Sequence, residues 1–590
     1  MVPDASAAAN LIPDAWRYSV DFWQRWVLFL YTLRERANIM LEHEQAGLPP
    51  VLGFEYQTVL DARTFERPAN YALLRITACG EACAAECVKE NKRPVIIFDP
   101  RAGHGPGIGG FKRESEVGMA LIEGHPVYFV SFFPEPCPHQ TLADVLRVLH
   151  RFVEAVGKRH PKVGAPVLYG NCQAGWAVAL LAADCAGISG PAVLNGSPLS
   201  YWAGEEQVNP MRLLGGLLGG AWPARLLADL GNGVLDGAWL VQNFEHLNPA
   251  SSLWDKYYQL FAQVDEERER FLAFERWWGG YYFFTKEEFT AIVENLFIGN
   301  RPERGEMPGL CRICEGCVVD LKRIRSPLVI FASSADNIAP PHQALNWIPA
   351  VYPTTDALKA AGQRIVYLLN THVGHLGIFV SARVARIEHR AILESVDELD
   401  ALQPGLYEMK IRNPTGDPDC RKPQYSVAFE ERRAEDLRFD YPREAFERVR
   451  RISEFNSALY ETCAGPWVQA LATPWSAALG KWLHPMRLSR YLYSEKFNPF
   501  MGLVEGWAEA ARRHRQPAVA DNTFLGLEGR FAEQISRALD SYREARDQSY
   551  EQLFRRIYAS PVSRVFDEVF RTVSRRGETG FTDFSRSQAL

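Results

Sequence analysis

Near its N-terminus this chain lacks a long apolar run. The longest uninterrupted apolar stretch there is Trp26 to Tyr31, far short of the ~20 residues that span a bilayer. Met1 to Pro13 also lacks a basic segment followed by an apolar run and a small-residue cleavage site. Neither a secretory leader nor a transmembrane segment is therefore expected. Charge of one sign is missing too: 65 Lys and Arg stand against 71 Asp and Glu, a net charge of −6. So balanced a surface gives nucleic acid no electrostatic hold, and no nucleic-acid partner is expected. Internal repeats and low-complexity tracts are absent. The eleven cysteines, an odd count without a leader, read as reduced thiols of a cytoplasmic protein, not as a disulfide framework. What is there is globular in kind. With 590 residues, 47% hydrophobic and 12% aromatic, the chain exceeds one ordinary domain and can bury a large core.

Residues 14–45 read as one amphipathic helix with Asp14 as N-cap, its apolar stripe formed by Trp16, Val20, Trp23, Val27 and Leu30. Arg17, Asp21, Gln24, Arg25 and Arg34 fall largely elsewhere. From about Arg93 the pattern turns to short β-branched runs alternating with helical segments. Pro94 to Phe98, Pro126 to Phe133, Pro166 to Tyr169, Pro191 to Asn195, Pro327 to Ala332 and Arg364 to Leu369 are candidate strands, apolar at consecutive positions. Strands buried on both faces have that signature. Helix-length stretches separate the first four, which predicts an α/β fold with a mostly parallel sheet. Between Ser200 and Leu310 the alternation stops, and a wealth of aromatics, Trp277, Trp278 and Tyr281 to Phe284 among them, suggests a cap over the strand ends. The expected division is a helical N-terminal extension at 1–90, a core at 91–200 and 318–401, a cap at 201–317, and a helical C-terminal region at 402–590.

One segment carries chemistry: Gly170-Asn171-Cys172-Gln173-Ala174-Gly175, with a buried strand leading in and an Ala-rich helix leading out. A nucleophile between strand and helix sits on a sharp turn, so its neighbours two before and two after must be very small. Gly170 and Ala174 meet that demand. The turn also puts Cys172 at a helix N-terminus, which favours a thiolate. Asp336 follows the strand at 327–332, and a loop with His372 and His375 follows the strand at 364–369. The chain order nucleophile, acid, histidine is that of α/β-hydrolases. His375 is preferred over His372 because Gly374 and Gly377 free its backbone. An oxyanion hole is expected from the Gln173 amide and one in the loop Asp99 to Gly110, from Ala102 or Gly103.

Other motifs carry less. Gly105 to Gly110 fits G-x-G-x-x-G, but its first glycine lies too far past Phe98 for a dinucleotide turn. Cys311, Cys314 and Cys317 form a knuckle one ligand short of a closed zinc site, so no metal is expected. Cys79, Cys83 and Cys87 share one face if that segment is helical, and read as packing.

The Cys172 segment, the Asp336 turn and Gly374-His375 resemble the modified lipase box, acid and histidine of polyhydroxyalkanoate synthases, where the pattern is Gly-x-Cys-x-Gly-Gly. Ala174 stands here in place of the first paired glycine. More of the chain, from the Trp-rich N-terminal helix through Asn195 to Trp202, is similar to a bacterial family described as 3-hydroxyalkanoate-synthetase-like. The resemblance implies an α/β-hydrolase fold with a Cys172, His375, Asp336 triad and acyl transfer from 3-hydroxyacyl thioesters. Acyl-CoA or a polyester would be substrate, with no cofactor, and the partners a polymer-granule surface and a second copy of the chain. Intracellular depolymerases also use a cysteine, so hydrolysis is the alternative. A granule-bound scaffold without chemistry is the other.

Overall fold

The computed structural model describes residues 5–79, 82–83, 88–89, 91–184, 187–308, 318–412 and 424–561. Ten strands make one continuous sheet: β1 (Glu55–Asp61), β2 (Tyr71–Cys79), β3 (Val95–Phe98), β4 (Val127–Phe132), β5 (Val167–Asn171), β6 (Ala192–Asn195), β7 (Leu328–Ser333), β8 (Arg364–Asn370), β9 (Gly405–Arg412) and β10 (Ser426–Arg432). They lie in the order β1-β2-β4-β3-β5-β6-β7-β8-β9-β10, and the two-residue strand Ala82–Cys83 pairs with β2. From β4 to β9 every pairing is parallel, while β1, β2 and β10 add antiparallel. All six strands expected from continuous apolar runs form. Every residue of β3 to β7 is buried, because helices cover both faces of a parallel sheet. Among the crossovers are α2 (Glu116–Ile122), α3 (Leu142–Arg159) and α4 (Gln173–Asp184). This strand order, with its crossover helices and a sharp turn after β5, is the α/β-hydrolase fold.

Three expectations are corrected. The segment 1–90 is not helical throughout, since β1 and β2 build one margin of the sheet. The first four residues of β1 are exposed, so it never shows the apolar run of a buried strand. Cys79 lies in a strand and pairs with Ala82, and Cys83 pairs with Ala78, so no helix aligns those cysteines. Cys87, Cys311, Cys314 and Cys317 lie outside the described residues. The segment 402–590 likewise contributes β9 and β10 before it turns helical. Glu408 there bonds Arg432 across the two strands at 2.9 Å, and such charged alternation marks a half-solvated edge.

The N-terminal helix α1 runs from Ala5 to Gln45 through Pro13, so Asp14 is not its cap. Its stripe was also misassigned. Trp16 and Trp23 are 72% and 63% exposed, while Asp21, Arg25, Leu28, Leu33, Ala37 and Met40 are buried. Arg25 bonds Asp21 and Glu528 at 2.8 Å each, and Arg515 reaches Asp21 at 2.6 Å. Glu528 lies on the helix Thr523–Phe554 and Arg515 just beyond the helix Phe500–Arg513, both near the other end of the chain. Buried charges persist only when paired, and amphipathicity alone cannot foresee such a partner.

Candidate active site

Register places the site. Asn171 pairs with Asn195 across β5 and β6, Asn195 with Phe331 across β6 and β7, and Ser333 with Asn370 across β7 and β8, so the four strands end at the same edge, β7 and β8 reaching further than β5 and β6. The loops leaving them carry Cys172, Asp336 and His375 to the same edge. The His375 Nε2 lies 3.1 Å from the Cys172 Sγ, and its Nδ1 lies 2.7 Å from the Asp336 Oδ2. The other oxygen of Asp336 accepts from the amides of Ile338 and Ala339 at 2.8 and 2.9 Å. That pins a fully buried carboxylate. His372 is exposed, and only its backbone is held, by Asn370. Of the two histidines on the loop, the structure places 375 against Cys172 and Asp336.

The turn at Cys172 is as tight as its neighbours require. Its φ is +49°, a left-handed value that costs a non-glycine residue energy. Its N–H donates to the Asn195 carbonyl at 2.7 Å and its carbonyl accepts from Gly175 at 3.1 Å. A Cβ at Gly170 would come within 2.7 Å of the Gly175 Cα, and one at Gly175 would overlap the Ser197 Oγ and sit 2.5 Å from its Cβ. The glycine demanded on the helix side is therefore 175. Residue 174 has room for its methyl, so the departure at Ala174 leaves the turn intact.

Electrostatics follow from burial and neighbours. Burial pulls the His375 pKa down, but the Asp336 carboxylate and the Cys172 sulfur outweigh it and raise the value to about 10. Beneath the turn, Asn195 donates to Asn171 at 2.9 Å, and Asp99 accepts from the amides of Gly107 and Gly109 at 2.5 and 3.0 Å. Desolvation raises Asp99 to about 6 against those bonds.

Cys172 and His375 open into a cavity of about 510 Å³ lined by Ala102, His104, Phe244, Phe274, Trp277 and Trp278. Ala102 thus lines the cavity that the sulfur opens into. Among the described residues neither its amide nor that of Gln173, first in α4, donates a hydrogen bond. The Gln173 side chain lines a different, smaller pocket. From the segment expected to form an aromatic cap, Trp277 and Trp278 line the cavity; Trp277 donates to the Gly105 carbonyl at 3.0 Å, and Tyr282 N to the Gly103 carbonyl at 3.0 Å. Sequence reasoning gave no role to His104. Its only signal is a histidine set among glycines of the loop after β3.

A site of this kind on an α/β-hydrolase sheet defines the class. The chain belongs to the family described as Protein of unknown function (DUF3141), whose model matches residues 21–583. The uncharacterized protein in the ackA 5' region of Rhizobium meliloti is 43% identical over 572 residues, 95% of this chain and 77% of that one. The poly(3-hydroxyalkanoate) polymerase subunit PhaC of Haloferax mediterranei is 24% identical over 284 residues, 46% of this chain and 51% of that protein. Among solved structures, a monoacylglycerol lipase of Paleococcus ferrophilus has 14% identity and a TM-score of 0.31, covering 52% of this chain and 96% of its own. No helix among the described residues is long and apolar enough to cross a membrane.

Proposed function

We propose that the chain is a cysteine-dependent acyltransferase acting on 3-hydroxyacyl thioesters through an acyl-thioester intermediate. The observation that carries the reading is the line Sγ, imidazole, carboxylate, with contacts of 3.1 and 2.7 Å. His375 takes the thiol proton and Asp336 orients the resulting imidazolium. The Cys172 sulfur attacks the acyl carbonyl, whose oxygen gathers negative charge opposite the amides of Gln173 and Ala102. The tetrahedral species collapses, the bond from acyl carbon to coenzyme A sulfur breaks, and the departing thiolate takes the proton from His375. An acceptor hydroxyl then gives its proton to the same imidazole and attacks the enzyme thioester, freeing Cys172. Thioester-to-thioester exchange is nearly isoenergetic, so the acyl group keeps its transfer potential. The aromatic wall of the cavity supports transfer over hydrolysis by excluding water. If water enters, the same three residues make a thioesterase or depolymerase.

Incubation with 3-hydroxybutyryl-CoA tests this. Release of coenzyme A with an acylated alcohol or polymer supports the transferase, and release with free 3-hydroxybutyrate supports the hydrolase. No release in either form contradicts both. A granule-bound scaffold without chemistry, which the exposed Trp16, Trp467 and Trp475 favour, requires instead that Cys172→Ala leave the protein's role in cells unchanged.

A further inference from the structure

His104 is 5% exposed and lines the cavity that Cys172 opens into. Its ring packs at a tilt against two neighbouring indoles, with centroids 4.7 Å from Trp277 and 4.3 Å from Trp278. The loop around it is fastened to the cap: Gly105 N donates to the Gly280 carbonyl at 2.8 Å, and His104 itself bridges to Tyr281. The imidazole Nδ1 is 3.2 Å from the Trp278 carbonyl. A carbonyl only accepts, so Nδ1 carries the proton and Nε2 is a bare acceptor. That Nε2 is buried and has no hydrogen-bond partner among the described residues. Buried polar groups almost always have one, and an orphan calls for an explanation. Burial also drives the ring's pKa down to about 3, so it stays neutral. An uncharged acceptor in a cavity lined by Phe274, Trp277 and Trp278 as well as by Glu245, Lys256 and Arg270 suits an uncharged donor such as a hydroxyl.

We propose that His104 determines specificity in this cavity, its Nε2 accepting a hydrogen bond from a hydroxyl on the acyl chain. Hydroxyacyl groups are then taken in preference to unsubstituted acyl groups of the same length. This rests on the reading of Cys172 as the residue that receives the acyl group. It adds the selection of the hydroxyl and the residue that performs it.

The test uses the full chain carrying Cys172→Ala, which binds without turnover. Calorimetry compares the N-acetylcysteamine thioesters of butyrate and of 2-, 3- and 4-hydroxybutyrate. One hydroxylated ligand is expected to bind about tenfold tighter than butyrate, the scale of one well-made hydrogen bond. In the C172A background, His104→Phe keeps an aromatic ring against the indoles and should bring the hydroxylated ligand and butyrate to equal affinity. His104→Leu, which also lacks an acceptor, gives the same reading if the phenylalanine variant does not fold. Equal binding of all four ligands, or a preference that survives both substitutions, overturns the proposal. Binding of none overturns it together with the acyl-site reading. Mass spectrometry of the wild-type chain separates the two claims: a hydroxyl preference without acylation of Cys172 retains His104 and refutes the nucleophile.

Discussion

Consider Gly175→Ala. An added Cβ would stand 2.5 Å from the Ser197 Cβ and overlap its Oγ, and Ser197 is fully buried with its hydroxyl bonded to the Asn195 carbonyl. Carbon atoms in contact rest about 3.7 Å apart, so about 1.2 Å must be found. Rotating the serine hydroxyl cannot supply it, because the Ser197 Cβ belongs to the clash. The helix start must retreat from β6, and it carries Cys172 with it, whose N–H is tied to the same Asn195 carbonyl. Overpacking of this kind destabilises by about 1–3 kcal/mol, and misplacing a reacting group by about 1 Å costs roughly 100-fold in rate. The assay is the alkylation rate of Cys172 by iodoacetamide, followed by peptide mass spectrometry and paired with thermal unfolding. G175A should react about 100-fold more slowly and melt lower, whereas Ala174→Gly should stay within about threefold, since only a helix-terminal methyl is lost. A G175A protein with wild-type reactivity and stability would refute the argument that this glycine sets the turn.

Three further outcomes are expected. His375→Ala should slow Cys172 alkylation by at least about 100-fold, the usual worth of a positioned base, while His372→Ala leaves it within twofold, because that side chain is exposed. The raised pKa of His375 ties stability to pH. A group lifted from 6.5 to about 10 contributes stability that is complete below pH 6.5 and is lost as the pH rises through about 10. Asp336→Asn removes most of that contribution, so the gap in melting temperature between wild type and D336N should be wide at pH 6 and narrow by pH 10. A gap that widens with pH contradicts the assignment. Arg25→Met takes from the buried Asp21 one of its two arginines, Arg515 remaining, and leaves Glu528 without its 2.8 Å ion partner. It should cost about 3 kcal/mol, read by denaturant unfolding, and free the N-terminal helix to limited proteolysis.

The legible parts of this molecule are those where one physical demand acts alone. Strands β3 to β8 show in the sequence because burial on both faces requires unbroken apolar runs. The order Cys172, Asp336, His375 shows because each follows such a strand, and parallel register then brings the three loops to one edge. Strands β1, β2, β9 and β10 do not show, because each lies at or near a margin of the sheet where polar side chains are tolerated. For α1 the apolar stripe pointed to the wrong face: the packed side carries Asp21, Arg25 and Arg34, whose burial depends on Glu528, Arg515 and Glu505 some 470 or more residues away. Gly175 and His104 escaped notice for a related reason, since Ser197 and the Trp278 carbonyl, which give them their meaning, come from distant segments.

The central claim is that the sulfur of Cys172 accepts the acyl group with His375 as its base. The most direct measurement is intact-protein mass spectrometry after rapid mixing with 3-hydroxybutyryl-CoA, followed by peptide mapping. The account requires one added 3-hydroxybutyryl group on Cys172 in the wild-type chain, none in Cys172→Ala, and a far slower appearance in His375→Ala. An adduct on another residue, or one that forms equally fast without His375, would contradict it.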